Sequence, residues 1–188
     1  MNGMLCKRRT AGFTLTEMVI TMAIVAILIV VGTPSFQYVT TSNRATSEVN
    51  GLLGDLQFAR AEAIKEGQTV SVCPSNDGIT CSGNGGAWQT GWLVFSDTGT
   101  IGIIDGTDFV LRAQKPFSST DTLQADNGVN VITFSREGFA LNLPSAVTLT
   151  LHDASGKAQF TRCLSLTIVG ALSTQIGGKT TAENIPCI

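Results

Sequence analysis

The chain is short of the residues that carry most enzyme chemistry. Its 188 residues include one histidine, His152, and one tyrosine. A catalytic site needs a nucleophile or base, a group that orients it, and a place for the reacting atom. His152 stands beside Asp153 just ahead of a Ser-Gly turn and reads as a strand-end surface residue, so no enzyme activity is expected. No C-x-x-C pair is present, and a lone histidine does not make a zinc site. Asp97, Asp105 and Asp108 lie near glycines but lack the dense ligand spacing of a calcium loop, so they read as turn residues. Asn84-Gly85-Gly86 carries no phosphate-loop lysine and reads as a flexible loop tip. No metal or cofactor is expected. Charge is scarce as well: 14% of residues are charged, and the net charge is -2. The only basic run is Lys7-Arg8-Arg9. Without it nine cations face fourteen acids, a balance of -5, which leaves no electrostatic case for nucleic acid.

What the chain does have is one uncharged apolar run, residues 18–31, preceded by the three cations and by a single acid, Glu17. Fourteen residues are short for a membrane span, which takes about 20. Adding the flanking residues reaches that length but places Glu17 inside the span, where a carboxylate is costly and points to a function. The cations keep the N-terminus cytoplasmic and send the bulk of the chain across. A cleaved secretory signal, cut near residues 32–35, and a plain signal anchor are the alternatives on local physics.

The remainder reads as one domain rich in strands and loops, with 43% apolar residues and 20 glycines. Helical character continues past the membrane. Val49, Leu52, Leu53, Leu56, Ala59 and Ala63 recur every three or four residues, the stripe of an amphipathic helix. Gly32 and Pro34 invite a kink, and Gly67 marks the stop. Arg60 falls on the apolar side. Its stem is expected to pack on the sheet while its head reaches water; a buried pair with a domain carboxylate is the sharper alternative. A helix continuous from Phe13 to Glu66 would span about 80 Å, too long for a domain of this size to bury, so its apolar half must protrude. Strands are expected at residues 69–73, 91–96, 109–114, 129–135, 139–143, 147–152, 157–161 and 163–172, with a hairpin turn at 153–156 and an irregular tail from 173. Trp88 and Trp92 read as packing residues. Export implies an oxidising compartment. Cys6 precedes the apolar run, and the four later cysteines allow three pairings, among which sequence alone does not choose. The favoured one joins Cys73 to Cys81 around a glycine-rich loop and Cys163 to Cys187 at the tail. The longer closure is worth about 3 kcal/mol on the chain-entropy model.

Gly12-Phe13-Thr14-Leu15-Thr16-Glu17 resembles the processing site of type IV prepilins and type II secretion pseudopilins: glycine, an aromatic, a glutamate at the fifth place counted from the aromatic, then an apolar stretch. The resemblance implies that a prepilin peptidase cuts after Gly12 and that Phe13 becomes N-methylated. Residues 1–12 would be a leader, 13–35 a transmembrane and filament-core helix, and 36–188 a periplasmic domain with an amphipathic helix over 36–66 and a β-rich region over 68–188. The implied fold is α+β and type IV pilin-like, a long N-terminal helix packed on an antiparallel β-sheet domain. Glu17 would align subunits by pairing with the new amino terminus of a neighbour, so that two charges costly in lipid compensate each other.

Later segments resemble the FimT/FimU and GspH group of minor pilins and pseudopilins: residues 56–64 at the helix end, Gly91-Trp92-Leu93-Val94-Phe95 with Asp97, Ile132-Thr133-Phe134-Ser135 with Gly138, and Arg162-Cys163-Leu164 leading to Gly170. This implies a minor pilin that helps initiate a type IV pilus, or alternatively a type II secretion pseudopilin. Implied partners are other major and minor pilins through the N-terminal helix, the prepilin peptidase and an inner-membrane assembly platform. The implied location is the inner membrane, single-pass with a periplasmic domain, and then the pilus or pseudopilus. DNA-binding members carry paired arginines after the glycine at position 170. Here Ala171-Leu172-Ser173-Thr174-Gln175 follows, so a DNA-uptake role lacks its residues.

Overall fold

The computed structural model describes residues 12–143, 145–180 and 187. The basic part of the expected leader, with Cys6 and the three cations, lies outside them. The chain divides into two units, Met1–Thr40 and Thr41–Ile188. Helix α1, Leu15–Glu66, contributes to both.

In the first unit every described side chain from residue 12 to residue 40 is exposed, including the whole apolar run. It is the one helix among the described residues long and apolar enough to cross a membrane. Several of its threonines turn back on their own backbone. The Thr21 hydroxyl donates to the Met18 carbonyl at 2.9 Å, and that of Thr33 donates to the Ile29 carbonyl. Hydroxyls satisfied this way lower the cost of placing threonine in hydrocarbon. The helix is continuous through Gly32 and Pro34, the pair at which the sequence invites a kink.

The second unit is built on the stripe read from the sequence. Ala45, Val49, Leu52, Leu56, Ala59 and Ala63 are buried, while Leu53 packs at the margin. The helix ends as expected: Gly67 has φ +67, and its N–H donates to the Ala63 carbonyl at 3.0 Å. The stripe covers two antiparallel sheets rather than one. β1 (Thr69–Pro74), β2 (Trp92–Asp97), β3 (Phe109–Gln114), β5 (Ile132–Phe134) and β6 (Ala140–Leu141) form the first, in the order β3-β2-β1-β5-β6. β4 (Thr122–Ala125), β7 (Val147–His152), β8 (Arg162–Leu166) and β9 (Leu172–Ile176) form the second, in chain order. Val72 and Phe134 from one sheet and Leu149 and Leu164 from the other meet α1, Trp88 and Trp92 in a single core. Each fully buried leucine there contributes about 1.5–3 kcal/mol. A smaller cluster of Cys73, Leu93 and Phe95, packed with Cys81, Ile104 and Val131, occupies the far side of the first sheet. Cys73 is bonded to Cys81 and Cys163 to Cys187.

Several sequence expectations are corrected. Residues 157–161 are not a strand. They form a second turn after the one at 153–156, with Phe160 N–H donating to the Lys157 carbonyl at 2.9 Å. The single strand expected at 163–172 is two strands, β8 and β9, joined by a turn at residues 167–171. β9 therefore takes the first part of the tail expected to be irregular, and β4 was not anticipated. Asn84-Gly85-Gly86 is a packed turn. Ala125 N–H donates to the Gly85 carbonyl at 3.0 Å, and a Cβ on Gly85 would strike the backbone of Gly128.

Arg60 follows neither expectation. Its Nε donates to the Gly138 carbonyl at 2.9 Å and its Nη2 to the Val169 carbonyl at 3.3 Å. It ties the β5–β6 turn of one sheet to the β8–β9 turn of the other, through backbone oxygens rather than a carboxylate. Other side chains beside the stripe act similarly. Arg44 grips the buried Asp121 with two hydrogen bonds, of 3.0 and 2.9 Å. Asp55 accepts from Trp92 Nε1 and Arg112 Nη1, both at 2.9 Å. Glu48 accepts from the Ser119 hydroxyl at 2.8 Å. Burial nevertheless pushes the Glu48 carboxyl up to about 7. A carboxyl raised on folding favours the native state less as pH climbs from its ordinary range through neutrality.

Candidate assembly site

The residues singled out at the N-terminus sit where the backbone enters α1. Gly12 and Phe13 precede the helix, and the Phe13 side chain is 79% exposed. Thr14 caps the helix: its Oγ1 accepts the Glu17 N–H at 3.3 Å, and its carbonyl accepts the Met18 N–H at 3.2 Å. Threonine followed three places later by glutamate is the capping-box pattern. That signal is present in the sequence, and it identifies Thr14 as a residue that the motif alone does not single out. Glu17 thus lies in the first turn of α1, where a negative charge complements the helix dipole. Its carboxylate has no hydrogen-bonding or ionic partner among the described residues. The site is therefore an exposed aromatic, a capped helix start and one acid uncompensated among the described residues, directly ahead of an exposed apolar run.

The described residues of the domain hold no comparable reactive arrangement. His152 Nδ1 lies 3.4 Å from the Thr161 hydroxyl, while Asp153 is engaged by the Ser155 N–H at 3.0 Å and its hydroxyl at 2.5 Å. Histidine and acid therefore do not act on one nucleophile. Asp97 is buried and accepts from the Ser71 hydroxyl at 2.5 Å and the Gly102 N–H at 2.6 Å. It pins the following loop to the first sheet. Asp105 accepts from the Thr107 N–H at 2.8 Å and hydroxyl at 2.6 Å, and these bonds hold its carboxyl below the usual range. Asp108 accepts from the Thr98 N–H at 2.9 Å. These acids organise turns. No group of three or more metal-ligating side chains occurs among the described residues.

Comparison with known proteins bears on both units. A family model described as Type II transport protein GspH matches residues 48–170, and one described as Prokaryotic N-terminal methylation motif matches residues 7–33. Among solved structures, the type IV minor pilin FimU of Pseudomonas aeruginosa is 22% identical in one crystal form. That match has a TM-score of 0.57 and covers 78% of this chain and 97% of that one. A second crystal form gives 23% identity and a TM-score of 0.53, over 73% and 95% of the two chains. The minor pseudopilin EpsH from the type 2 secretion system of Vibrio cholerae is 14% identical with a TM-score of 0.51, over 72% and 99%. At these identities the likeness is one of fold. No individually curated protein matches the chain significantly.

Proposed function

The chain belongs to the GspH family of type II transport proteins, and we propose that within it the chain is a minor pilin, a structural subunit that helps initiate a type IV pilus. The observation that carries this reading is the pairing of an unburied apolar helix with a carboxylate that has no partner among the described residues. A helix of that kind is stable in lipid or in the core of a filament. The acid at its start is tolerable there only with a compensating charge.

In this account a prepilin peptidase cuts between Gly12 and Phe13, Phe13 is N-methylated, and the apolar helix is retained. Before assembly the helix anchors the chain in the inner membrane with its domain in the periplasm, next to the assembly platform. After assembly it packs among the helices of other pilins, and Glu17 meets a neighbour's amino terminus. The described residues suggest no catalytic role, and no arginine follows Gly170 to support DNA binding.

The family description favours a second reading, a minor pseudopilin of a type II secretion system, which uses the same helix in a shorter filament. Deleting the gene in its host separates the two. Loss of twitching motility with secretion intact is expected. Loss of secretion with twitching intact would replace the pilus by the secretion system, and a strain normal in both would remove the assembly reading.

A further inference from the structure

Arg162 is the one buried lysine or arginine among the described residues, 7% exposed. It lies on β8 and points to the side of the second sheet that faces α1. Its Nε donates to the Thr46 hydroxyl at 3.1 Å and its Nη2 to the Ser42 hydroxyl at 2.9 Å. Its Nη1 donates to the carbonyls of Gln159 and Thr161, at 3.0 and 2.9 Å. All four acceptors are neutral. Arg44 and Arg112, both more exposed, each have a carboxylate, yet no carboxylate lies within ion-pair distance of Arg162 among the described residues. A buried cation is ordinarily paired, because leaving water is costly unless an opposite charge replaces it.

The arginine also lines a cleft of about 340 Å³ between α1 and β9, the outermost strand of its sheet. Val49 and Ile176 give the cleft apolar walls, and Asn50 and Gln175 add amides. Asn50 and Ile176 are exposed, so the cleft opens to solvent.

We propose that this cleft receives a carboxylate from a partner polypeptide, an acidic side chain flanked by apolar residues. Guanidinium has five N–H donors, and four are already used. One donor and an unopposed charge suit a single carboxylate oxygen better than a phosphate, which calls for several donors. The apolar walls suit side chains on either side of the acid, and the amides suit its backbone. The proposal deepens the assembly reading, from which it takes the class of partner, and supplies a contact between subunits beyond the apolar half of α1.

The test uses the full chain in neutral detergent micelles and two blocked peptides, Val-Thr-Val-Glu-Val-Thr-Val and the same sequence with glutamine at the centre. At low salt the glutamate peptide is expected to bind about tenfold more tightly, with the preference fading at high salt. Arg162→Gln should abolish the preference. Because that change touches a buried residue, a second variant acts from the rim. Asn50→Glu tethers a carboxylate beside the cleft and should also abolish the preference, while Asn50→Gln should retain it. Equal binding of the two peptides to the unaltered chain, including no binding of either, would overturn the proposal. So would a preference that survives in Asn50→Glu. The titration needs no filament, so it can fail while the deletion phenotype upholds the assembly reading, and the reverse also holds.

Discussion

Replacing Glu17 by alanine is expected to exclude the subunit from assembled filaments while leaving it in the membrane. The apolar run is untouched, so anchoring should persist. Thr14 keeps its hydroxyl bond to the backbone N–H of residue 17, so the start of the helix should persist too. What disappears is the charge proposed to lie opposite a neighbour's amino terminus. Removing one member of a desolvated pair costs about 3–5 kcal/mol because the other is left uncompensated. That corresponds to a fall of roughly a hundredfold or more in the equilibrium for insertion. The measurement is the amount of subunit in sheared filaments relative to the amount in the membrane fraction. Glu17→Gln should fail nearly as badly, since it keeps the shape but not the charge. A Glu17→Ala subunit recovered at the normal ratio would remove the proposed pairing.

The second large effect is expected far from the membrane. Gly170 has φ +78, a conformation that costs other residues about 1–2 kcal/mol. A Cβ there would also run into the Gly138 carbonyl oxygen and come within 3.0 Å of Arg60 Nε. Those two atoms form one of the two bonds by which Arg60 joins the sheets, the one to the β5–β6 turn. Gly170→Ala should therefore combine backbone strain with loss of that junction, about 3 kcal/mol in all, and lower the melting temperature by roughly 10 °C. Gly156→Ala is the control. Its φ is +63 but no atom lies within 4 Å of the added carbon, so it should show the strain alone. Equal melting temperatures for the two variants would mean that Arg60 is not the junction described.

The helix was the most legible part of the sequence. Its buried stripe follows a spacing of three and four, and Gly67 stops it where the chain must turn. β1, β2 and β3 were readable because their segments are short, β-prone and bounded by turn residues. β4 and β9 were not. β4 has one fully buried residue, Leu123, and β9 is largely polar because its sheet places it at an edge. The break between β8 and β9 comes at Gly170, where the apolar residues on either side read as one continuous strand. Residues 157–161 misled because Phe160 looks like a strand residue but is buried in a turn. Arg60 could not be read at all, since its partners are backbone oxygens distant in the chain and no side-chain pattern marks them. At the N-terminus the motif residues were visible from the start. The structure adds the cap at Thr14 and shows no partner for Glu17 among the described residues.

The most direct measurement is the mass of the N-terminal peptide of the subunit taken from the membrane and from filaments. An account in which the apolar helix is kept predicts a chain that begins at Phe13, carries one added methyl group and has lost the basic leader. A chain beginning near residues 32–35, with the apolar run gone, would contradict it.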